Sequence, residues 1–500
     1  MKHFSTTAVG AICASLFCST AGFAEVTAAQ VWQDWQAMSE RFGYSITGTE
    51  TASGDTLTVS DVELAAELPE VTLQGSFDSI TFRENGDGTV TVTMAPEYTQ
   101  SITATDSSDE QVEMTTRVRQ SGMEMLVDGN ENAMSYDVSV DEVTMDMTAV
   151  VDGEAADMTM GMTSSGLTGK YLISRDGTGP IAAEGTVETA QFTMKGTDPE
   201  SGAKIDGAWN LSDITASTLT QMVAGANPSD LNAMLQAGFS ADGNFAYGAS
   251  DFTLSVDEKG EQFMASGQSQ GGSASFAISK EKLNYAASQR GFEIALSGSE
   301  IPFPQVTAQL GELDFNITIP ASKSDAPQDF AMLTSLKGLN VGNEIWSMFD
   351  PAGMIPRDPA NVVLDLAGTG NWLVNIMDPA AAQSMDKQPG ELHSLTLKDM
   401  ELTVAGASLT GKGAFTFDNS DLESFDGMPA PSGQADFTLT GANKLLDTLV
   451  NMGLVPEDQA QGMRMMTGMF ARPGDGEDTL VSEIVVTEDG QVLANGQRLK

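Results

Sequence analysis

The feature that most constrains this chain is a period of two in its apolar residues. In Thr89–Met94, Val90, Val92 and Met94 alternate with threonines, and in Asp251–Val256, Phe252, Leu254 and Val256 do the same. Phe437 and Leu439 alternate with Thr438 and Thr440, and Phe415 and Phe417 flank Thr416. Side chains of a strand point alternately to its two faces, so this spacing marks half-buried antiparallel strands. Threonine, valine and phenylalanine favour that setting. Turn dipeptides punctuate the pattern: Asn85-Gly86-Asp87-Gly88, Asp152-Gly153, Asp176-Gly177, Asp242-Gly243 and Asp489-Gly490 read as hairpin turns. The expectation is a mainly β protein of elongated, twisted antiparallel sheets, arranged as meanders and groove-like in form.

Few helices interrupt it. Thr27–Phe42 opens with a threonine cap and then carries Val31, Trp35, Met38 and Phe42 on one side. Thr218–Gly238 reads as a second helical stretch. Ala442–Met452 and Pro456–Phe470 read as a helical hairpin, with Leu445, Leu446, Leu449 and Val450 as the first apolar stripe and Met463, Met466 and Phe470 as the second. Proline-containing segments at Glu300–Pro304 and Ala321–Gln328 mark the best break in the chain. The domain reading is therefore a leader at 1–24, an N-terminal β-rich half at 25–298 and a C-terminal β-rich half at 299–500, the two halves similar.

The leader is read as a secretory signal peptide. Lys2 precedes an apolar run from Ala8 to Phe17, and small residues lead to a cut after Ala24, with Ala21 as the alternative. The run is shorter than the roughly 20 residues that a bilayer span needs, and no later segment is apolar enough to cross. The expected location is the periplasm, with an extracellular destination as the alternative. Cleavage removes both cysteines, Cys13 and Cys18, and leaves His393 as the only imidazole.

The 500 residues hold 24 Lys+Arg against 70 Asp+Glu, a net charge of −46. Such a field repels nucleic acid and anionic headgroups. Disorder is not implied, because 41% of the residues are hydrophobic and strand patterning is widespread.

The chain contains 28 methionines. Met123 and Met125, Met145 and Met147, and Met158, Met160 and Met162 recur at spacing two, which puts each group on one face of a strand. Thioethers suit Cu(I), but no cysteine or histidine accompanies these. Adaptable apolar filling is the simpler reading. Met145, Met147, Met158, Met160 and Met162 are thus the candidate face for a hydrophobic ligand.

Catalytic and metal signals are sparse. His393 lies in Gly390–Leu397 and reads as a surface residue ahead of a strand; no G-x-S-x-G elbow accompanies it. Asp418–Gly427 and Asn85–Gly88 offer oxygen ligands for calcium, but neither has EF-hand spacing, and turn chemistry accounts for both. No phosphate-binding glycine loop is present. Trp346, Met348, Phe349 and Pro351 form an aromatic, proline-containing loop, read as a buried corner rather than an exposed docking loop.

The second half carries distinctive phrases. They are the stretch beginning at Ile345 and ending at Pro359, Val362–Gly368, Pro431–Gly474 and the tail Thr487–Lys500. With the opening Val26–Met38, these resemble the exported alphaproteobacterial proteins grouped as DUF2125, most strongly from about Ile301 onward. That resemblance implies a location and an architecture, and no reaction. The strand, helix and closing strand near the C-terminus also resemble, at fold level, periplasmic β-groove proteins of the AsmA type. The sequence reading is a non-enzymatic binding or scaffold protein that meets a lipid, another hydrophobic ligand or an envelope protein through an apolar sheet face, without a cofactor. The alternatives are an envelope hydrolase working through Asp and Glu, and a methionine-based copper-handling protein.

Overall fold

The structure, a computed structural model, describes residues 26–41, 43–68, 71–105, 111–130, 132–175, 179–198, 201–223, 230–378 and 389–500. The leader, its two cysteines and the Asp176-Gly177 turn signal lie outside those residues. The protein is mainly β, with antiparallel ladders between its described strands and five short helices among the described residues. It divides into two compact units. Unit 1 comprises 1–226, 238–266 and 298–300; unit 2 comprises 227–237, 267–297 and 301–500.

Unit 1 opens with helix α1 (Ala28–Arg41). Thr27 and Gln30 form a reciprocal cap: Thr27 Oγ1 accepts from the Gln30 amide, and Gln30 Oε1 accepts from the Thr27 amide. An up-and-down meander follows: β1 (Ser45–Ser53), β2 (Thr56–Leu68), β3 (Val71–Glu84), β4 (Val90–Met94), β5 (Glu97–Thr105), β6 (Gln111–Ser121), β7 (Glu124–Gly129), β8 (Ala133–Val151), β9 (Glu154–Ser174), β10 (Gly179–Thr197), β11 (Lys204–Met222), β12 (Ser240–Tyr247) and β13 (Ala249–Glu258). β3 pairs with β4 at one end and β5 at the other; β7 and β6 continue these two lines onto β8. β8, β9, β10 and β11 then run side by side, and β11 pairs with both β12 and β13.

The large core of the molecule sits under α1. Val31, Trp32 and Trp35 pack onto Phe82, with ring centroids 6.0 and 5.3 Å away, and Val59, Val92, Met125 and Tyr136 surround them, all buried. Polar ties seat the helix: Trp32 Nε1 donates to Glu50 Oε1 at 3.0 Å, and Arg175 pairs with Asp34 at 2.9 Å. Burial pushes the Tyr136 phenol well above its usual value, helped by the Asp34 charge, so it stays a neutral hydroxyl.

A line of irregularities crosses this meander. Gly48 lies in a register shift between β1 and β2, and regular pairing is interrupted, with the register unchanged, where Asp61 meets Asp78, Gly122 meets Asp141, Asp141 meets Gly166, Gly166 meets Glu188, Glu188 meets Asp213 and Asp213 meets Gly248. The β1–β2 irregularity is a β-bulge; at the others both neighbouring strands break their alternation at the same level and keep their register. Asp61, Gly166 and Asp213 take positive φ values of 51°, 62° and 51° there. The consequence is a change of parity. In β9 the inward apolar positions are odd up to Leu167 and even from Ser164 back to Met158; in β8 they change from Val138 and Val140 to Val143, Met145 and Met147. Val138, Val140 and Val143 are buried in one cluster against which Leu167 and Met145 pack, so both parities serve the same face. Without this break in alternation the methionines would swing to the opposite side.

Unit 2 contains α2 (Leu231–Ala237), β14 (Glu261–Ser269) in part, β15 (Gly271–Ile278), β16 (Lys282–Gly298), β17 (Val306–Pro320), β18 (Gln328–Val341), α3 (Asn343–Phe349), β19 (Ala360–Trp372), β20 (Gly390–Val404), β21 (Ala407–Asp418), β22 (Ala430–Thr440), α4 (Ala442–Asn451), α5 (Glu457–Phe470), β23 (Arg472–Pro473), β24 (Thr479–Val486), β25 (Val492–Ala494) and β26 (Gln497–Arg498). β15 to β22 pair in succession, and β24 adds to β22.

Several local expectations change. Thr218–Met222 belongs to β11, which pairs with β10 and β12, so only Leu231–Ala237 of the expected helical stretch is helix; residues 224–229 lie outside the described ones. Tertiary pairing has outweighed local periodicity. Asp242-Gly243 lies inside β12 rather than in a turn, its pairing with Thr218 and Leu219 supplied by β11. Asp152-Gly153 does turn β8 into β9, with φ of 49° and 81° as a two-residue hairpin needs. Ala405-Gly406 makes the same kind of turn between β20 and β21, at φ 54° and 78°, without an Asn or Asp to announce it.

Candidate functional site

Cross-strand register builds the site. Residues paired across an antiparallel ladder share a face. One row runs Val62, Phe77, Tyr98, Val118, Met145, Met162, Phe192, Trp209, Phe252 across nine strands. A second, two residues along, joins Met147, Met160, Met194, Gly207 and Leu254. Beyond it Met158 pairs with Gly196, and Gly196 with Ile205, which pairs with Val256. On the seam side lie Val143, Ser164, Ala190, Leu211 and Ser250. Met145 thus meets Met162 and Met147 meets Met160; all five candidate methionines occupy one continuous apolar surface.

Burial falls along the first row. Val62 and Val118 are fully buried, Phe77 and Tyr98 pack against the core with rings 4.5 Å apart, and the methionines are half-buried. Phe192 and Trp209 are 39% and 41% exposed, and Trp209 stacks on Phe252 at 5.6 Å. Over the strands β8 to β13, these four rows carry no Lys, Arg, Asp or Glu. The other face of the same strands is polar: Arg119 pairs with Asp146, Lys195 with Asp206 at 2.7 Å, and Thr168 with Thr186 at 2.7 Å. The sheet is amphipathic across its thickness.

Phe192, Met194 and Trp209 escape a search for methionine pairs. Their signal was present as the alternation Phe192/Met194 and Trp209/Leu211, but nothing in one strand says which strand it will face. Phe252, Leu254 and Val256, legible as a strand, turn out to share the methionine surface. Met125, by contrast, is wholly buried in the core beneath α1.

Near the seam a hollow of about 450 Å³ lies along β8 to β12, lined by Asp137, Lys170, Glu184, Ser217 and Asn244 among others. Lys170 Nζ is 2.6 Å from Asp137. Unit 2 presents an apolar row of its own, from Phe276 and Tyr285 through Ile317, Met332, Leu366 and Leu397 to Ile484.

His393 sits within β20 rather than ahead of it, half-buried, with Nε2 2.7 Å from Asn371 Oδ1. Glu391 lies 3.9 Å from the same nitrogen. An amide oxygen accepts a proton contact but is no base, so this pair braces neighbouring strands. The acidic loop after β21 is turn chemistry: Asp418 accepts from the Ser420 amide and hydroxyl, and Asp421 from the amides of Glu423 and Ser424. The Ser420 hydroxyl and amide hold the Asp418 carboxyl below its ordinary value, and the Ser424 hydroxyl and amide with the Glu423 amide do the same for Asp421. Among the described residues no group of three His, Cys, Asp or Glu side chains is placed to hold a metal ion.

The aromatic segment after β18 is the short helix α3, not a buried corner. Met348, Phe349 and Met354 are exposed. What is buried is Asp350, whose carboxylate accepts from the amides of Met354 and Ile355 at 2.8 and 2.9 Å. Burial pushes this carboxyl up, but those amides and the Arg357 charge outweigh it and hold it below its ordinary value. Methionine is also displayed on α5, where Met465 is 74% exposed and Met463, Met466 and Met469 are exposed beside it.

Fold and surface together define a class: an antiparallel β protein that holds out an uncharged, methionine- and aromatic-rich sheet face. The chain belongs to the family described as "Uncharacterized protein conserved in bacteria (DUF2125)", whose model matches residues 213–499. That match takes in the whole of β12 to β26; the methionine rows of β8 to β10, and Trp209, precede it. No curated protein matches the chain.

Proposed function

We propose that this is an exported, non-enzymatic binding protein that works in the periplasm and holds a hydrophobic ligand on the apolar face of unit 1. The observation that carries the reading is the nine-strand apolar row ending in Phe192, Trp209 and Phe252, which loses its cover while remaining apolar. Strands β8 to β13 span about 20 Å across, and the four uncharged rows about 20 Å along the strands, from standard sheet spacings. A surface of that size is at the upper end of what a monomer leaves open without use. Thioether side chains are unbranched and rotate freely, so they conform to a ligand that lacks one fixed shape. The export leader supports the compartment. Among the described residues, no helix is long and apolar enough to cross a membrane.

The test is native mass spectrometry of protein purified from its own host, beside a Met160→Glu variant that puts a carboxylate in the centre of the face. Co-purifying lipid in the wild type and its loss in the variant are expected. Wild-type protein that carries no lipid and takes none up, or a variant that carries as much as wild type, would defeat the reading.

A further inference from the structure

The charge around the apolar face narrows what it holds. We infer that the occupant is the acyl portion of a lipid whose headgroup bears no net negative charge, a zwitterionic phospholipid being the fitting class. This rests on the binding role proposed above and specifies its ligand.

Three features of the surface support it. The rows that carry Met145, Met160, Phe192, Trp209 and Leu254 hold no cation, so an anionic headgroup laid along them meets no partner. The chain as a whole carries −46, a field that lowers the local concentration of anions and raises that of groups with a positive end. Beyond Met158, Asp152, Glu154 and Asp157 make the β8–β9 turn acidic, whereas at the end of β13 Glu258 pairs with Lys259 at 2.6 Å and Asp257 stands opposite Lys204. A zwitterion can turn its ammonium toward the carboxylates of the β8–β9 turn while its tails lie on the thioethers. The same surface suits a protein segment poorly. Over β8 to β13, the row from Met145 to Phe252 offers one polar group, the indole N–H of Trp209, whereas a docked peptide brings backbone donors and acceptors that need partners when buried.

Trp209 provides the readout, because it lies within the face and is 41% exposed. The experiment mixes full-length protein with vesicles whose acyl chains carry bromine, a contact quencher of indole fluorescence. One set is phosphatidylcholine and the other phosphatidylglycerol. The signal is the quenching lost in a Trp209→Phe variant, which keeps the face apolar. Strong Trp209 quenching by phosphatidylcholine, with binding at least about tenfold weaker for phosphatidylglycerol at low salt, is the expected result. The gap should narrow at 1 M salt, where the screening length falls to about 3 Å. Equal quenching by both lipids, or preference for phosphatidylglycerol, overturns the headgroup inference while leaving the binding role in place. Quenching by neither overturns both. Quenching that persists undiminished in Trp209→Phe places the lipid elsewhere and also overturns the inference.

Discussion

Replacing Gly166 by alanine tests the device that keeps the apolar face together. Gly166 has φ +62°, and a Cβ built on it would come within 2.4 Å of Glu188 Cγ and 2.5 Å of Glu188 Cδ. Two costs are separable. Holding a non-glycine residue in the left-handed region costs about 1–2 kcal/mol. Crowding against Glu188 adds about 1 kcal/mol, near the low end for overpacking because that side chain is exposed and can give way. The sum is about 2–3 kcal/mol for Gly166→Ala. In a Glu188→Ala background the crowding atoms are gone, and the same substitution should cost only the conformational part, about 1–2 kcal/mol. Hydrogen exchange read peptide by peptide through β8, β9 and β10 in rising urea suits a chain of two units, where a single unfolding transition is not assured. A Gly166→Ala protein within about 0.5 kcal/mol of wild type, the range of an ordinary surface change, would refute the strain. An equal cost in both backgrounds would refute the contribution of Glu188.

Other outcomes follow from the same structure. Phe82→Ala empties the space between Trp32 and Trp35 and should destabilise unit 1 by about 3–5 kcal/mol, measured by urea unfolding, with α1 becoming the first site of limited proteolysis. Asp478 closes the start of α4, accepting from the amides of Asn443 and Lys444 and from Asn443 Nδ2. Asp478→Ala should cost about 1 kcal/mol in the unfolding of unit 2. Burial raises the Asp478 carboxyl, but those donors and the Arg464 charge outweigh it, so its folded value lies below the ordinary 3.8. Its stabilisation is therefore full above about pH 4–5 and lost as pH falls through the folded value. An acid titration of wild type against Asp478→Ala should show the two curves converging only at the acid end; parallel curves would remove the cap from the account. Met160→Glu and the brominated-lipid comparison test the face itself.

Much of the architecture was legible in the residues. Alternation in Val90–Met94, Phe252–Val256 and Phe437–Leu439 marks real strands, and the cap at Thr27 and the stripes of Ala442–Phe470 mark real helices. Spacing two put Met158, Met160 and Met162 on a common face because side-chain direction in a strand is a local property. The helical expectation for Thr218–Met222 failed because apolar spacing over a few residues fits either element, and ladder bonds from β10 and β12 decided it.

The chain by itself determined the secondary structure class, the acidity and the oily character of single strand faces, since these depend on composition and near-neighbour spacing. Only the tertiary structure decided which strand lies beside which. It set Met145 against Met162, extended the row to Phe192 and Trp209, and left those two open to solvent while burying Val62 and Val118. It also placed Gly166 and the aligned breaks in the neighbouring strands, which restore a common face where the parity of the sequence changes. Register joins residues tens of positions apart through backbone hydrogen bonds that every residue offers alike, so no local pattern encodes it.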